Sequence, residues 1–295
     1  MPSAPGSSSR PARAERAPTL AHVRDHHEDD VLDMRLGALA SGLAGLDGLL
    51  VAFSGGADSA FLLAAAVRAL GPARVVAATA VSPSLAAAEL PAAAAFAASL
   101  GVRHLTPTTD ELAREGYVAN GTDRCFHCTA TLLDVLRPLA ASLGLAGVAT
   151  GTNADDAVAG FRPGIRAAAD RGALTPLLAA GLTKAQVREA SRRWGLVTAD
   201  KPALACLASR IAYGLQVTPA ALARVDRAER ALRSHLGVVE HLRVRDLGDG
   251  AARVELDPDA LARLDEAGHA VVREAGFTSS TAREFRSGSM NLPAV

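Results

Sequence analysis

The string VAFSGGADSA at residues 51–60 constrains this chain more than any other. An apolar strand, Leu49 to Phe53, ends in Gly55-Gly56 and passes into an apolar helix predicted from Ala60 to Leu70. Such a junction aims several backbone N–H groups and the positive end of a helix dipole at one point in front of a sheet, a place suited to an anion. The glycines permit positive φ and close backbone approach, and the hydroxyls of Ser54 and Ser59 can donate to phosphate oxygens. Asp58 has no place beside bare phosphate, but it fits if Mg²⁺ stands between its carboxylate and the phosphates. The loop lacks the lysine of the pattern G-x-x-x-x-G-K-S/T, which weakens a kinase or GTPase reading.

Downstream, strands alternate with helices. Val75 to Val81 reads as a strand, Ala86 to Leu100 as a helix, and Val102 to Leu105 as a short strand. TATLLDVLRPLAASLG reads as a helix that Pro138 can kink, and GVATGTN follows as a further strand. This alternation predicts an α/β fold, a parallel sheet with helices on both faces, over residues 29–210. Ligands in such sheets bind beyond the carboxyl ends of the strands. That places Thr152, Asn153, Asp155 and Asp156 near the same edge, with Gly151 beside them and Thr79, after the second strand, facing an adenine pocket.

After about residue 210 the pattern changes. TPAALARVDRAERALRSHLG predicts an amphipathic helix capped by Thr218, with Pro219 in its first turn. VVEHLRVRDLG and AARVELDP predict antiparallel strands joined through Gly-Asp-Gly. A helix from Asp259 to Ala267 and a polar tail complete a smaller C-terminal α/β domain, residues 211–295. Residues 1–28, rich in Pro, Ser, Ala and Arg, predict a disordered leader.

Lys+Arg and Asp+Glu balance at 31 each, so no global attraction to nucleic acid or to an anionic membrane is expected. No apolar run approaches the ~20 residues that span a bilayer, and a cytoplasmic location is the default expectation. The three cysteines are too few for a disulfide framework. Cys125 and Cys128 form C-x-x-C, and Cys206 can complete a three-thiolate site or stand apart from a redox pair. Zinc would need a fourth ligand, for which His127 or His104 is available. A [4Fe-4S] cluster tolerates three cysteines and leaves one iron open; unrelated buried thiols are the bland alternative.

The string SGGADS resembles the SGGxDS loop of the PP-loop ATP pyrophosphatases, whose adenine nucleotide alpha hydrolase-like domain grips the pyrophosphate of ATP. More broadly, SGGADS, GTNADD, FRPG, KPALACLASRIAYG and FRSGSMN, in that order from about residue 45 onward, resemble the LarE family. Members are ATP-dependent sulfurtransferases acting on pyridinium-3,5-biscarboxylic acid mononucleotide in nickel-pincer nucleotide synthesis. The resemblance implies ATP and Mg²⁺ at Ser54, Gly55, Gly56, Asp58 and Ser59, with Asp58 essential to adenylation. Cys206 falls at the sulfur-donor position, and Cys125 with Cys128 imply the subtype holding a [4Fe-4S] cluster rather than the one that sacrifices a single cysteine. A sulfide or cysteine-derived sulfur donor is implied with it.

The same carry-over makes Arg243, Arg245 and Arg286 grips for the substrate's phosphate and carboxylates, with Ser209 and Arg210 close by and Glu229 a candidate second metal ligand. Guanidinium forks on one strand face suit such oxyanions. Family members are often assembled, which implies a homo-oligomer. A tRNA thiolase would share the loop and the cysteines, but 3% aromatic residues and neutral charge make RNA a poorer partner. An amidating synthetase would leave the cysteines unexplained, and a non-enzymatic nucleotide-binding or redox-sensing protein is the alternative from another class.

Overall fold

The strands LLVA and VVAA are apolar at every position, the pattern of strands buried on both faces. A computed structural model describes residues 20–202 and 205–286, with side chains from Asp29 onward. In it β1 (Leu49–Ala52), β2 (Val75–Ala78), β3 (Arg103–Leu105) and β4 (Val148–Ala149) form a parallel sheet in the order β3-β2-β1-β4. The chain moves from β1 outward to β3 and then crosses back to β4 on the other side of β1. That reversal opens a crevice at the carboxyl end of β1.

Alternation along β1 divides the core. Leu49 and Val51 pack with α1 (Leu20–Ala44), α2 (Ala57–Leu70) and α3 (Glu89–Ser99), whereas Leu50 packs against the opposite helical layer. That opposite layer contains α5 (Arg124–Ser142) and α7 (Pro163–Asp170); the single turn α4 (Glu115–Val118) precedes it and α6 (Ala154–Val158) lies between its helices. Next come α8 (Pro176–Ala179) and α9 (Lys184–Arg193), the latter starting in a reciprocal Thr183–Gln186 capping box.

The expected second α/β unit is present. α10 (Pro219–Leu236) starts with Thr218 accepting the Ala221 N–H, and β5 (Leu242–Asp246) and β6 (Ala251–Leu256) pair antiparallel. Its Gly-Asp-Gly turn holds all three residues at positive φ. Two expectations need correction. The helix placed at Asp259 to Ala267 is two helices, α11 (Pro258–Arg263) and α12 (Glu266–Glu274), because Asp265 caps a new start. The tail contains β7 (Ser279–Glu284), parallel to β6. Its sequence SSTARE lies on a sheet edge with little buried surface, so no apolar alternation marks it.

The core under this sheet also takes in Tyr117, Leu207, Ala208 and Ile211, so the Cys206 segment is packed against the C-terminal unit. Leu207 N–H donates to Ser84 of the first unit at 2.9 Å, and Ile211 bridges to Asp246 of the second. Residues 1–19 of the predicted disordered leader lie outside the described residues, and its remainder, residues 20–28, is corrected to helix, the first turns of α1. Among the described residues, no helix is long and apolar enough to cross a membrane.

Candidate active site

The loop after β1 builds itself before any ligand is considered. Gly55 stands at φ +72°, where an L side chain would be strained. Ser54 Oγ accepts the Gly56 N–H at 3.3 Å and lies 3.1 Å from Ser59 Oγ, which donates to the Gly56 carbonyl. α2 starts at Ala57, earlier than the sequence pattern indicated, so Asp58 and Ser59 lie in its first turn. Gly151, after β4, presses on that turn: a Cβ there would come within 2.8 Å of Ser59 N. This close approach fixes the spacing between the two strand-end loops.

Together these loops enclose a cavity of about 320 Å³ lined by Ser54, Gly56, Asp58, Ser59, Gly151 and Thr152. Asp155, expected here, is not among the lining residues; its carboxylate accepts the Lys184 backbone N–H at 2.8 Å, and Asp156 lines the cavity instead. Asn153 caps α6 through the Asp155 and Asp156 N–H groups and approaches Asp58 at 3.4 Å.

Two lysines from far along the chain reach this loop. Lys184 Nζ makes a short ion pair with Asp58 inside the cavity. Lys201 Nζ donates to the Gly55 carbonyl at 3.1 Å and to Glu89 at 3.0 Å. Of the 31 basic side chains, these two are the lysines of the whole sequence, and both line this cavity. Two signals in the sequence mark them: that rarity, and a cation at the first position of α9, where the helix dipole disfavours one.

A second cavity, about 290 Å³, lies between the two units and shares Ala52 and Ser54 with the first. Cys128, Cys206, Arg210, Glu229 and Arg243 line it. Thr79 reaches it too, with its hydroxyl donating to the Phe53 carbonyl at 2.6 Å and lying 2.8 Å from His104 Nε2. Burial holds the His104 pKa below its usual value, and His127 pairs with Asp123 at 3.3 Å.

Both C-x-x-C thiols lie in the first two turns of α5, which begins five residues before the expected helix start and runs through Pro138. Cys125 instead opens onto a third cavity of about 920 Å³. Although Cys125 is open to solvent on one side, desolvation by the surrounding protein and the nearby Cys206 thiol raise its pKa. The same two causes act more strongly on Cys128. The three thiols are therefore near enough to influence one another, and as a donor set they suit an iron–sulfur group in kind. Among the described residues, no three His, Cys, Asp or Glu side chains are already gathered as a metal site.

The arginines expected to hold substrate are heavily engaged with the protein. Arg210 pairs with Glu229 at 2.8 Å and donates to the carbonyls of Ala205 and Cys206, while Ser209 Oγ donates to Cys206 O at 2.8 Å. Arg210 and Ser209 thus fix the backbone that presents the Cys206 thiol. Glu229, offered as a metal ligand, also accepts the Val244 N–H at 3.0 Å. Arg245 bonds Glu255 at 2.9 Å and the Ser209 carbonyl at 2.8 Å. Arg243 faces the cavity with its pKa lowered to about 10 by burial and by the neighbouring Arg210. Arg286 is exposed just beyond β7, outside the cavities described here, and the rest of FRSGSMN lies outside the described residues.

No protein-family model matches the chain. It is 42% identical over 231 residues, 78% of its length and 84% of the relative's, to the uncharacterized protein slr1717 of Synechocystis sp. (strain ATCC 27184 / PCC 6803 / Kazusa). It is 33% identical over 259 residues, 86% of its length and 92% of the relative's, to the pyridinium-3,5-bisthiocarboxylic acid mononucleotide synthase of Lactiplantibacillus plantarum.

Proposed function

Because this chain belongs to the LarE family, that of the pyridinium-3,5-bisthiocarboxylic acid mononucleotide synthases, we propose that it transfers sulfur to a carboxylate of a pyridinium mononucleotide at the expense of ATP. The observation that carries this reading is the wall shared by the two cavities. Ala52 and Ser54, at the carboxyl end of β1, border both the phosphate-binding loop and the space that holds Cys128 and Cys206. A carboxylate activated on one side of that wall lies beside the thiols on the other.

In the proposed reaction the loop of residues 54–59 and the ammonium groups of Lys184 and Lys201 hold the pyrophosphate end of ATP. Asp58 and Asp156 offer hard carboxylate oxygens suited to Mg²⁺, which would neutralise phosphate charge. The substrate carboxylate attacks the α-phosphorus, the bond to the bridging oxygen breaks, and pyrophosphate leaves. The lysines favour this step because they sit where negative charge accumulates on the leaving group. Sulfur then adds to the acyl carbon and AMP departs, which leaves a thiocarboxylate.

Cys125, Cys128 and Cys206 are the residues that would hold a [4Fe-4S] cluster, whose chemistry there is to carry the transferable sulfide. A second reading, in which Cys206 gives up its own sulfur, is favoured by the exposure of that thiol and by its anchored backbone. Anaerobic purification, iron and acid-labile sulfide analysis, and intact mass before and after turnover separate the two. About four irons per chain and an unchanged mass support the cluster. No iron, with loss of H₂S from Cys206, supports sacrifice; no sulfur in the product defeats both.

A further inference from the structure

The cavity between the two units contains a carboxyl group that no cation among the described residues pairs with. Four acidic residues line it, and three have a cation: Glu89 has Lys201, Asp226 has Arg230, and Glu229 has Arg210. The fourth, Glu111, is 4% exposed and makes no ion pair among the described residues. Its partners are hydroxyls. Ser82 donates to Oε1 at 2.5 Å and Thr109 donates to Oε2 at 3.1 Å, so both oxygens are held by hydroxyls.

Burying a carboxylate without a counter-ion is costly, and two hydroxyls stabilise it less than a cation would. A structural role in joining the Ser82 and Thr109 loops would be served as well by an amide. The surroundings indicate what balances the charge. Glu111 lies on the first-unit wall, while Arg210, Arg233 and Arg243 belong to the segments on the other side, with Cys128 and Cys206 in the same space. A ligand that is cationic at its centre meets Glu111, and acidic groups at its periphery face the arginine side.

We propose that Glu111 is the counter-charge for the positively charged ring of an N-substituted pyridinium substrate. The inference rests on the function proposed above and deepens it: Glu111 selects the oxidised, cationic ring, while the arginine side accommodates acidic groups. Glu111 is thus a specificity-determining residue, distinct from the groups that activate the carboxylate or deliver sulfur.

The test is calorimetric titration of the full-length protein with nicotinic acid mononucleotide, whose ring is cationic, and with its dihydropyridine form, whose ring is neutral. Wild type is expected to prefer the cationic ring roughly tenfold, the scale of one additional charge-assisted contact. Glu111→Gln keeps the shape and the hydroxyl contacts, so it should bind both forms alike while pyrophosphate affinity stays unchanged. Glu111→Asp, with charge retained, should keep part of the preference, and a wild type with none overturns the proposal without any variant. A Glu111→Gln protein that keeps the preference overturns it as well. If that variant instead loses ATP affinity, the carboxylate reads the adenine base and the proposal fails. Binding of pyrophosphate but of neither ring form by wild type would defeat the proposed substrate class itself, a result distinct from failure of Glu111 alone.

Discussion

The cavity at the loop after β1 and the cavity between the units share the end of β1 but are built by opposite means. The first is made of short contiguous strings, SGGADS and GTN, whose backbone does most of the shaping, completed by two lysines from distant positions. The second is made of single side chains from many elements, held by buried ion pairs such as Arg210–Glu229 and Arg245–Glu255. Backbone-built sites are tuned by glycines and helix starts. Sites built from side chains depend on every partner being present, because a lone buried charge is more costly than none.

The largest effect should therefore fall on the side-chain-built cavity. Glu229→Ala leaves Arg210 buried without its carboxylate and frees the Cys206 carbonyl from a fixed neighbour. Unfolding in urea should show a loss of about 3–5 kcal/mol. A loss under ~1 kcal/mol would mean that the pair is open to water and that the contrast between the cavities is weaker than drawn. In the cavity at the β1 loop the corresponding loss is expected to be catalytic: Lys184→Met should lower kcat/KM for pyrophosphate release about 10²-fold with little change in melting temperature. Recovery in Lys184→Arg would show that any cation suffices there, whereas the compact ammonium is expected to be required.

Gly151→Ala probes backbone shaping directly. The new methyl meets Ser59 N at 2.8 Å, a contact with backbone that no rotamer relieves. A stability cost of about 1–3 kcal/mol and weaker pyrophosphate binding are expected, while Cys206 alkylation should proceed at the wild-type rate. Slower alkylation would show that the two cavities move together.

A smaller effect is acid-dependent. Burial tends to raise the Glu255 pKa, but the charges and hydrogen bonds of Arg245 and Arg283 outweigh it and hold the carboxyl below its ordinary 4.5. Glu255 therefore contributes stability that is complete above that value and is lost as pH falls through the lower folded value. The contribution is about 1.4 kcal/mol for each unit of depression. Stability followed from neutral pH to below pH 4 should fall less steeply in Glu255→Gln than in wild type; parallel curves would remove Glu255 from the acid response.

The same contrast explains what could be read from the sequence. The parallel sheet, the glycine loop after β1 and the β5–β6 hairpin were legible because each is written in neighbouring residues: apolar runs, Gly-Gly, Gly-Asp-Gly. The arginines were legible as charges but not as partners, since Arg245 reaches Glu255 and Ser209 through the fold. Glu111 carried no local signal at all. Its meaning arises only when Ser82, Thr109 and Cys128 are seen around one space. Lys184 lies between these cases, hidden among arginines yet conspicuous at a helix start once its helix is drawn.

The proposed coupling of ATP activation to sulfur transfer is tested most directly with a pyridinium mononucleotide substrate carrying heavy oxygen in its carboxylates. If the carboxylate attacks the α-phosphorus and sulfur displaces AMP, the label appears in AMP, pyrophosphate is unlabelled, and the product gains sulfur in place of that oxygen. ADP and phosphate as products, or a thiocarboxylate formed with no label in AMP, would contradict it.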